Sequence, residues 1–272
     1  MTEDRKECLI KSLRNKNMYP LDINMIIGKP QLCFLTKAVP DVSWLWHRSL
    51  AHLNFRYIND LISGEMVRGS PLLKIENDHL CAACECGKKS NKGHPLIIEI
   101  SISKPLELLH IDLCGPSTVE SLHDKKYILV IVDDFTRLTW VFFLRLKSET
   151  ASKLMNFIKI IEVLIKLPVR RIRSDNGSEF VNSTIEKFLT EKGINHNLSA
   201  LYTPQQNSVV ERRNRTLVEA ARSMLNYANL PLYLWAEAIS TACFTQNRSI
   251  INRRLNMTPY KVMNGQKPTI SF

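Results

Sequence analysis

The chain has 272 residues, 44% hydrophobic and 23% charged, enough to bury a core in one large domain or two unequal ones. Its net charge of +11 is gathered in Lys88-Lys89, Arg170-Arg171-x-Arg173, Arg212-Arg213-x-Arg215 and Arg253-Arg254, a surface that attracts a polyanion, with nucleic acid the leading candidate. The N-terminus has no signal-peptide core, and no apolar run reaches the roughly 18 residues of a membrane span. The seven cysteines, three of them from Cys81 to Cys86, suit an intracellular reduced protein with a metal site better than a disulfide scaffold.

Residues 1–16 read as a polar helix or tail, and 17–37 as two short strands around the turn Gly28-Lys29-Pro30. Residues 1–43 are thus an N-terminal extension, 44–90 a His/Cys domain, 91–104 a linker and 105–272 a larger domain. In the last, Leu108–Leu113 is strand-like and ends at Gly115-Pro116. Tyr127–Val132 is apolar throughout, as a buried central strand is. Leu138–Arg145 is a third strand, with Asp133–Thr136 as the turn before it. Glu149–Lys166 carries Ala151, Leu154, Ile158, Ile161 and Ile165 at helical spacing. Val169–Arg173 is a strand, Phe180–Lys192 a helix ended by Gly193, and Ile194–Asn197 a fifth strand. After the polar loop Leu201–Asn207 come helices Ser208–Ala228 and Pro231–Arg248. This order alone supports a mixed α/β class.

Two sets of residues carry chemistry. His47 and His52 have four residues between them, Cys81 and Cys84 form C-x-x-C, and 28 residues separate the pairs. Zinc takes four N/S ligands tetrahedrally, and paired short spacings let two local turns supply two each. The H-x₄-H half is expected on one helix face. Cys86 competes with Cys84, and His79 and His94 are less regular candidates. With no open position, this zinc serves folding rather than catalysis.

Asp112, Asp175 and Glu211 form the second set. Carboxylates are hard oxygen donors that Mg²⁺ prefers, and three meeting at one point can hold two ions about 4 Å apart for in-line phosphoryl displacement. Asp112 falls on the first strand, Asp175 just past the fourth, and Glu211 on the first turns of a helix. Taken singly, each has an ordinary reading. Asp112 can end a strand, and Asp175-Asn176-Gly177 is a turn signal. Glu211 can complete a capping box with Ser208 or pair with Arg215. Asp133 and Asp134 read as structural.

The segments L-W-H-R-S-L-A-H-L-N-F, H-L-C-A-A-C-E-C-G-K, Y-I-L-V-I-V-D-D-F-T-R, I-R-S-D-N-G and T-P-Q-Q-N…V-V-E-R-x-N-R-T-L occur in order from Trp44 onward. In them the chain resembles the integrase region of copia-type LTR retrotransposon Pol polyproteins, of the retroviral integrase superfamily. The resemblance implies a ribonuclease H-like mixed sheet flanked by helices, preceded by a small, mostly helical zinc domain. It makes Asp112, Asp175 and Glu211 the metal-binding catalytic acids and His47, His52, Cys81 and Cys84 the zinc ligands. It implies DNA 3′-end processing and strand transfer with two Mg²⁺ or Mn²⁺ and one structural Zn²⁺.

The partners it implies are element-end and target DNA and further copies of the chain, with no membrane. The place of action is the nucleus, after a cytoplasmic particle. Tyr202, Gln205, Gln206, Asn207, Arg212, Arg215 and Arg222 are expected to contact nucleic acid. Ser208 departs from the family's usual glycine and restricts the loop before Glu211. The sequence stops at Phe272 without the family's C-terminal DNA-binding region, protease or reverse transcriptase. A fragment is therefore expected, with fold and metal sites intact but insufficient for full integration alone. The alternatives are an inactive or domesticated nucleic-acid-binding remnant and a ribonuclease H-like nuclease without strand transfer.

Overall fold

The structure, a computed structural model, describes residues 40–70, 75, 80–88, 102–199 and 207–270. All of these belong to one compact unit, residues 37–272. The strand pair expected within 17–37, the tail 1–16, residues 91–101 of the linker, His79, His94, Tyr202, Gln205 and Gln206 lie outside the described residues.

Five strands form one sheet: β1 (Leu108–Cys114), β2 (Tyr127–Asp133), β3 (Thr139–Leu144), β4 (Arg171–Ser174) and β5 (Asn195–Leu198), in the order β3-β2-β1-β4-β5. The first three follow one another without an intervening helix and pair antiparallel, with Ile111 opposite Ile131 and Val130 opposite Val141. The β1–β4 and β4–β5 pairs are parallel. Parallel neighbours need a crossover. Helices α4 (Thr150–Ile165), between β3 and β4, and α5 (Ser183–Lys192), between β4 and β5, lie in the connections. Helices α6 (Ser208–Ala228) and α7 (Trp235–Ser249) follow β5.

Both faces of the sheet are covered. Leu109, Ile111, Leu129 and Ile131 pack with Leu154, Phe157, Ile158 and Ile161 of α4 and Ile185 and Leu189 of α5. Ile128, Val130 and Val132 pack with Val210, Leu217 and Ala221 of α6 and Trp235 and Ile239 of α7. This explains why 127–132 is apolar at every position. The same alternation decides where the chemistry goes. With Leu109 and Ile111 turned to α4, Asp112 is turned to α6. The sheet and its helices are the ribonuclease H-like arrangement expected.

Element limits differ where caps intervene. Asn182 accepts a hydrogen bond from the Ile185 amide (3.0 Å), so α5 starts three residues after Phe180, which is buried in the core instead. A 3₁₀ turn at Leu232–Leu234 precedes α7. Helix α6 ends as expected because Asn229 adopts a left-handed conformation (φ 51°) and the Leu230 amide bonds back to Leu225 O (3.0 Å). A further short helix, α8 (Pro259–Asn264), was not expected.

Helices α1 (Pro40–Ser49), α2 (Phe55–Ser63) and α3 (Ala82–Gly87) build the His/Cys module. Its own core is Trp46, Leu50, Ile58, Leu61, Met66, Val67 and Ile75, completed by Ile270 from the far end of the chain. The Arg68 amide donates to Pro268 O (2.9 Å) and the Ile270 amide to Arg68 O (3.0 Å). Helix α3 lies on α6, where Gly87 meets Ser223. A Cβ at position 87 would stand 2.5 Å from Ser223 Oγ and 2.9 Å from its backbone nitrogen, so only glycine permits this approach. The module therefore rests on the helix that carries Glu211.

Candidate functional site

His47 lies near the end of α1, but His52 does not share its helix. Five residues on a helix turn through about 500°, which places i and i+5 roughly 140° apart rather than on one face. The chain instead reverses through Ala51 (φ 53°) and His52 (φ 57°), and this turn carries His52 back toward His47. Cys81 is the N-cap residue of α3 and Cys84 lies within it. One donor atom from each of the four residues lies within 4.8 Å of the others.

Cys81 Sγ is 3.5 Å from His52 Nδ1, and Cys84 Sγ is 3.5 Å from His47 Nε2 and 3.6 Å from His52 Nδ1. Tetrahedral zinc with bonds near 2.3 Å to sulfur and 2.05 Å to nitrogen separates S and N by about 3.6 Å. The donor set and its spacing therefore fit Zn²⁺. His47 Nδ1–H donates to Leu53 O (2.8 Å), which leaves Nε2 as the ligating nitrogen. Phe55 stacks on the His47 ring at 4.7 Å. Burial lowers the pKa of both imidazoles, that of His52 to about 4 with help from His47 beside it, so both are neutral at pH 7, the form that binds a metal. Burial raises the Cys84 thiol. Cys86 is exposed and outside the group.

The three carboxylates come from separate elements. Asp112 lies on β1. Its Oδ1 accepts from the Leu113 amide (2.9 Å) and its Oδ2 from the Asn214 side chain. Asp175 lies one residue past β4, exposed, with Oδ1 accepting from the Gly177 amide (3.3 Å) in an Asx turn. Glu211 is exposed in the first turn of α6. Burial, then the charge of Asp175, and then that of Glu211 raise the Asp112 carboxyl to about 6, against the pull of the Leu113 and Asn214 hydrogen bonds. The three are thus electrostatic neighbours. Their oxygens are not drawn to one point: among the described residues, only the His/Cys group brings three or more such donors together. Like charges spread, and Asp112 registers that repulsion in its pKa.

The capping-box reading of Glu211 does not hold. Ser208 is the first residue of α6, Asn207 is the N-cap, and the cap makes no side-chain hydrogen bond. Asp133 and Asp134 are structural. Asp133 accepts from the Leu106 amide (2.8 Å) and from the Thr136 amide and hydroxyl (2.8 and 2.7 Å). Asp134 accepts from His110 Nε2 (3.0 Å) and Arg137 (3.2 Å).

Of the expected nucleic-acid contacts, Arg212, Arg215 and Arg222 are exposed on α6, with 215 and 222 on the Glu211 side. Asn207 is a correction. It is 4% exposed and donates to Ile111 O (3.3 Å), so it braces β1 beside Asp112 rather than facing solvent. Arg213, counted in the basic clusters, also turns inward, to Thr139, Gln246 and Arg137. Asn214 was not anticipated. The signal was present: Val210, Asn214, Leu217 and Ala221 form one helical stripe, and a polar residue inside it needs a partner.

Residues 17–89 match the family described as GAG-pre-integrase domain, and residues 102–204 the integrase core domain family, a match that stops short of Glu211. The retrovirus-related Pol polyprotein from transposon TNT 1-94 of Nicotiana tabacum is 33% identical over 205 residues, covering 75% of this chain and 15% of that polyprotein. That from transposon RE2 of Arabidopsis thaliana is 31% identical over 227 residues, covering 82% and 15%. The chain spans about 15% of the length of these relatives. Among solved structures, a simian T-cell lymphotropic virus intasome in complex with PP2A regulatory subunit B56 gamma shares the fold, with TM-score 0.50, 19% identity, and coverage of 67% of this chain and 63% of that one. The chain thus carries a GAG-pre-integrase domain and an integrase core domain, and its homologues are Pol polyproteins of plant copia-type retrotransposons.

Proposed function

We propose that this chain is the DNA-joining part of such a polyprotein, an integrase that trims DNA 3′ ends and transfers them to a target strand in the nucleus. One observation carries the reading. Asp112, Asp175 and Glu211 come from β1, the end of β4 and the start of α6, yet they lie close enough that the charges of the last two add to the effect of burial in raising the carboxyl of the first to about 6. Three acids from distant segments are kept close despite mutual repulsion, a cost that a divalent cation offsets. Hard oxygen donors fit Mg²⁺ or Mn²⁺. Bound by these residues, two such ions would supply Lewis-acid chemistry for in-line phosphoryl displacement.

The protein's own groups do the positioning. Asn214 orients Asp112 through one carboxylate oxygen and the Leu113 amide through the other. Asp112 is the deepest of the three acids, and a strand reaches it past the exposed Asp175 and Glu211. Arg212, Arg215 and Arg222 supply positive charge along the same helix for a phosphate backbone. His47, His52, Cys81 and Cys84 would hold one Zn²⁺ as a structural ion, the four of them supplying a full set of N/S donors. The working partners are element-end DNA, target DNA and further copies of the chain.

The test is cleavage of a branched, product-like DNA by the purified chain with Mg²⁺ or Mn²⁺. Metal-dependent cleavage and joining, abolished in Asp112→Asn, is expected. A folded, zinc-bound wild type that stays inert overturns the proposal in favour of a nucleic-acid-binding remnant. Cleavage of linear ends without joining favours a ribonuclease H-like nuclease.

A further inference from the structure

We infer that Arg213 is a positioning residue for the acidic centre, its guanidinium fixing the rotation of the first turns of α6 so that Glu211 and Asn214 face Asp112. This rests on the function proposed above. Arg213 follows Glu211 by two residues, about 200° around the helix, so it points away from the acids. There its Nε donates to Thr139 Oγ1 (2.7 Å), one terminal nitrogen to Gln246 Oε1 (3.1 Å) and the other to Arg137 O (2.9 Å). These acceptors sit on the first residue of β3, on α7 and in the turn before β3.

The acceptors are themselves fixed. The Thr139 amide donates to Asn247 Oδ1 (3.0 Å), Asn247 Nδ2 donates to Thr139 O (2.7 Å), and Gln246 Nε2 donates to Thr216 O (3.2 Å). Among the described residues no carboxylate pairs with Arg213. All its partners are neutral, and burial lowers its pKa to about 10. A charge placed among neutral acceptors is held by direction rather than by attraction, and only the planar guanidinium fork reaches three of them at once. The N-cap of α6 makes no side-chain cap hydrogen bond; Asn207 instead ties the helix entry to Ile111 O of β1 (3.3 Å). The first turn is held from the flank by Asn214 on Asp112 and from behind by Arg213.

The variants are Arg213→Lys, which keeps the charge and loses the fork, and Thr139→Val, which removes one acceptor and leaves Arg213 intact. The first readout is Mn²⁺ affinity of the zinc-loaded chain by electron paramagnetic resonance, with Asp112→Asn defining the acidic site. The second is amide hydrogen exchange. In Arg213→Lys, Mn²⁺ affinity should fall by about tenfold or more, with zinc content and cooperative unfolding unchanged. Exchange should quicken over Ser208–Arg215 but not over Leu217–Leu225, and Thr139→Val should lie between. Folded variants with wild-type affinity and wild-type exchange overturn the inference. If the wild type takes up no Mn²⁺ that Asp112→Asn removes, the functional reading fails. Exchange over Ser208–Arg215 then decides on Arg213 alone, and unchanged protection there overturns it.

Discussion

The His/Cys centre and the acidic centre sit against opposite halves of the same helix, α6, and they are built on opposite principles. At the first, four donors are gathered within 4.8 Å, on imidazoles that burial keeps neutral and on two cysteines, of which Cys84 has its thiol raised by burial. At the second, three anions are held near one another without converging, two exposed and one with its pKa raised to about 6 by burial and then by the charges of the other two. A site of neutral donors can be preorganised by packing. A site of like charges can be preorganised only as far as repulsion allows, and a cation must complete it. The His/Cys module has only a small core of its own, so loss of its ion should unfold it, whereas cation loss should only relax the acids on the folded sheet.

The largest effect is expected at the first centre. Metal analysis of the wild type should find about one zinc per chain. Cys81→Ser should lose it and melt the module formed by α1, α2 and α3, at a cost of several kcal/mol. Cys86→Ser should keep the zinc, since that thiol lies outside the cluster. Full zinc retention in Cys81→Ser would erase the contrast between the centres.

At the acidic centre, Glu211→Gln should lower metal-dependent cleavage of branched DNA by about a hundredfold or more, while circular dichroism and DNA affinity stay as in the wild type. Glutamine would serve equally in a capping box, but Ser208 and Glu211 form none. A fully active Gln variant would remove Glu211 from the metal site.

Asp112 makes a prediction about stability. Its carboxyl titrates at about 6 in the folded chain against 3.8 for the ordinary group. The folded chain therefore holds a proton that the unfolded chain has lost. The contribution of Asp112 to stability is fullest below about pH 4 and declines as pH rises to about 6, by on the order of 2–3 kcal/mol in all. Asp112→Asn should abolish this decline and be the more stable protein at pH 8 in the absence of Mg²⁺, as read by urea unfolding of the zinc-loaded chain. Adding Mg²⁺ should stabilise the wild type and not the variant.

The smallest effect concerns DNA. Arg212→Ala with Arg215→Ala should make the slope of log affinity against log salt shallower by about 1 to 2. Arg222→Ala should add less than one unit more.

Much of this was legible. The apolar run 127–132 announced a strand covered on both faces, and S-D-N-G placed Asp175 just past a strand. The end of α6 could be read at Asn229, which tolerates the left-handed turn there. What escaped depends on partners distant in sequence or on local backbone reversal. His52 looked helical because H-x₄-H is short, and the left-handed residues Ala51 and His52 leave no mark that spacing reveals. Arg213 was read by charge alone, and its acceptors Thr139 and Gln246 lie far from it in sequence. Asn207 looked like loop surface because its partner, Ile111 O, belongs to another strand. Helix α8 did carry signals: Thr258 accepts from the Lys261 amide (3.3 Å), Pro259 opens the helix and Gly265 closes it with φ 71°. Its six residues are too short for a periodic pattern to stand out.

The contrast between a centre gathered by packing and one completed by cations is tested most directly by anomalous scattering from crystals grown with Zn²⁺ and Mn²⁺, recorded at both absorption edges. The account predicts a zinc peak among His47 Nε2, His52 Nδ1 and the Cys81 and Cys84 sulfurs, and manganese bound by Asp112, Asp175 and Glu211 with the carboxylates drawn together. Manganese absent from the three acids at saturating concentration, or zinc found there while the His/Cys group holds none, would contradict it.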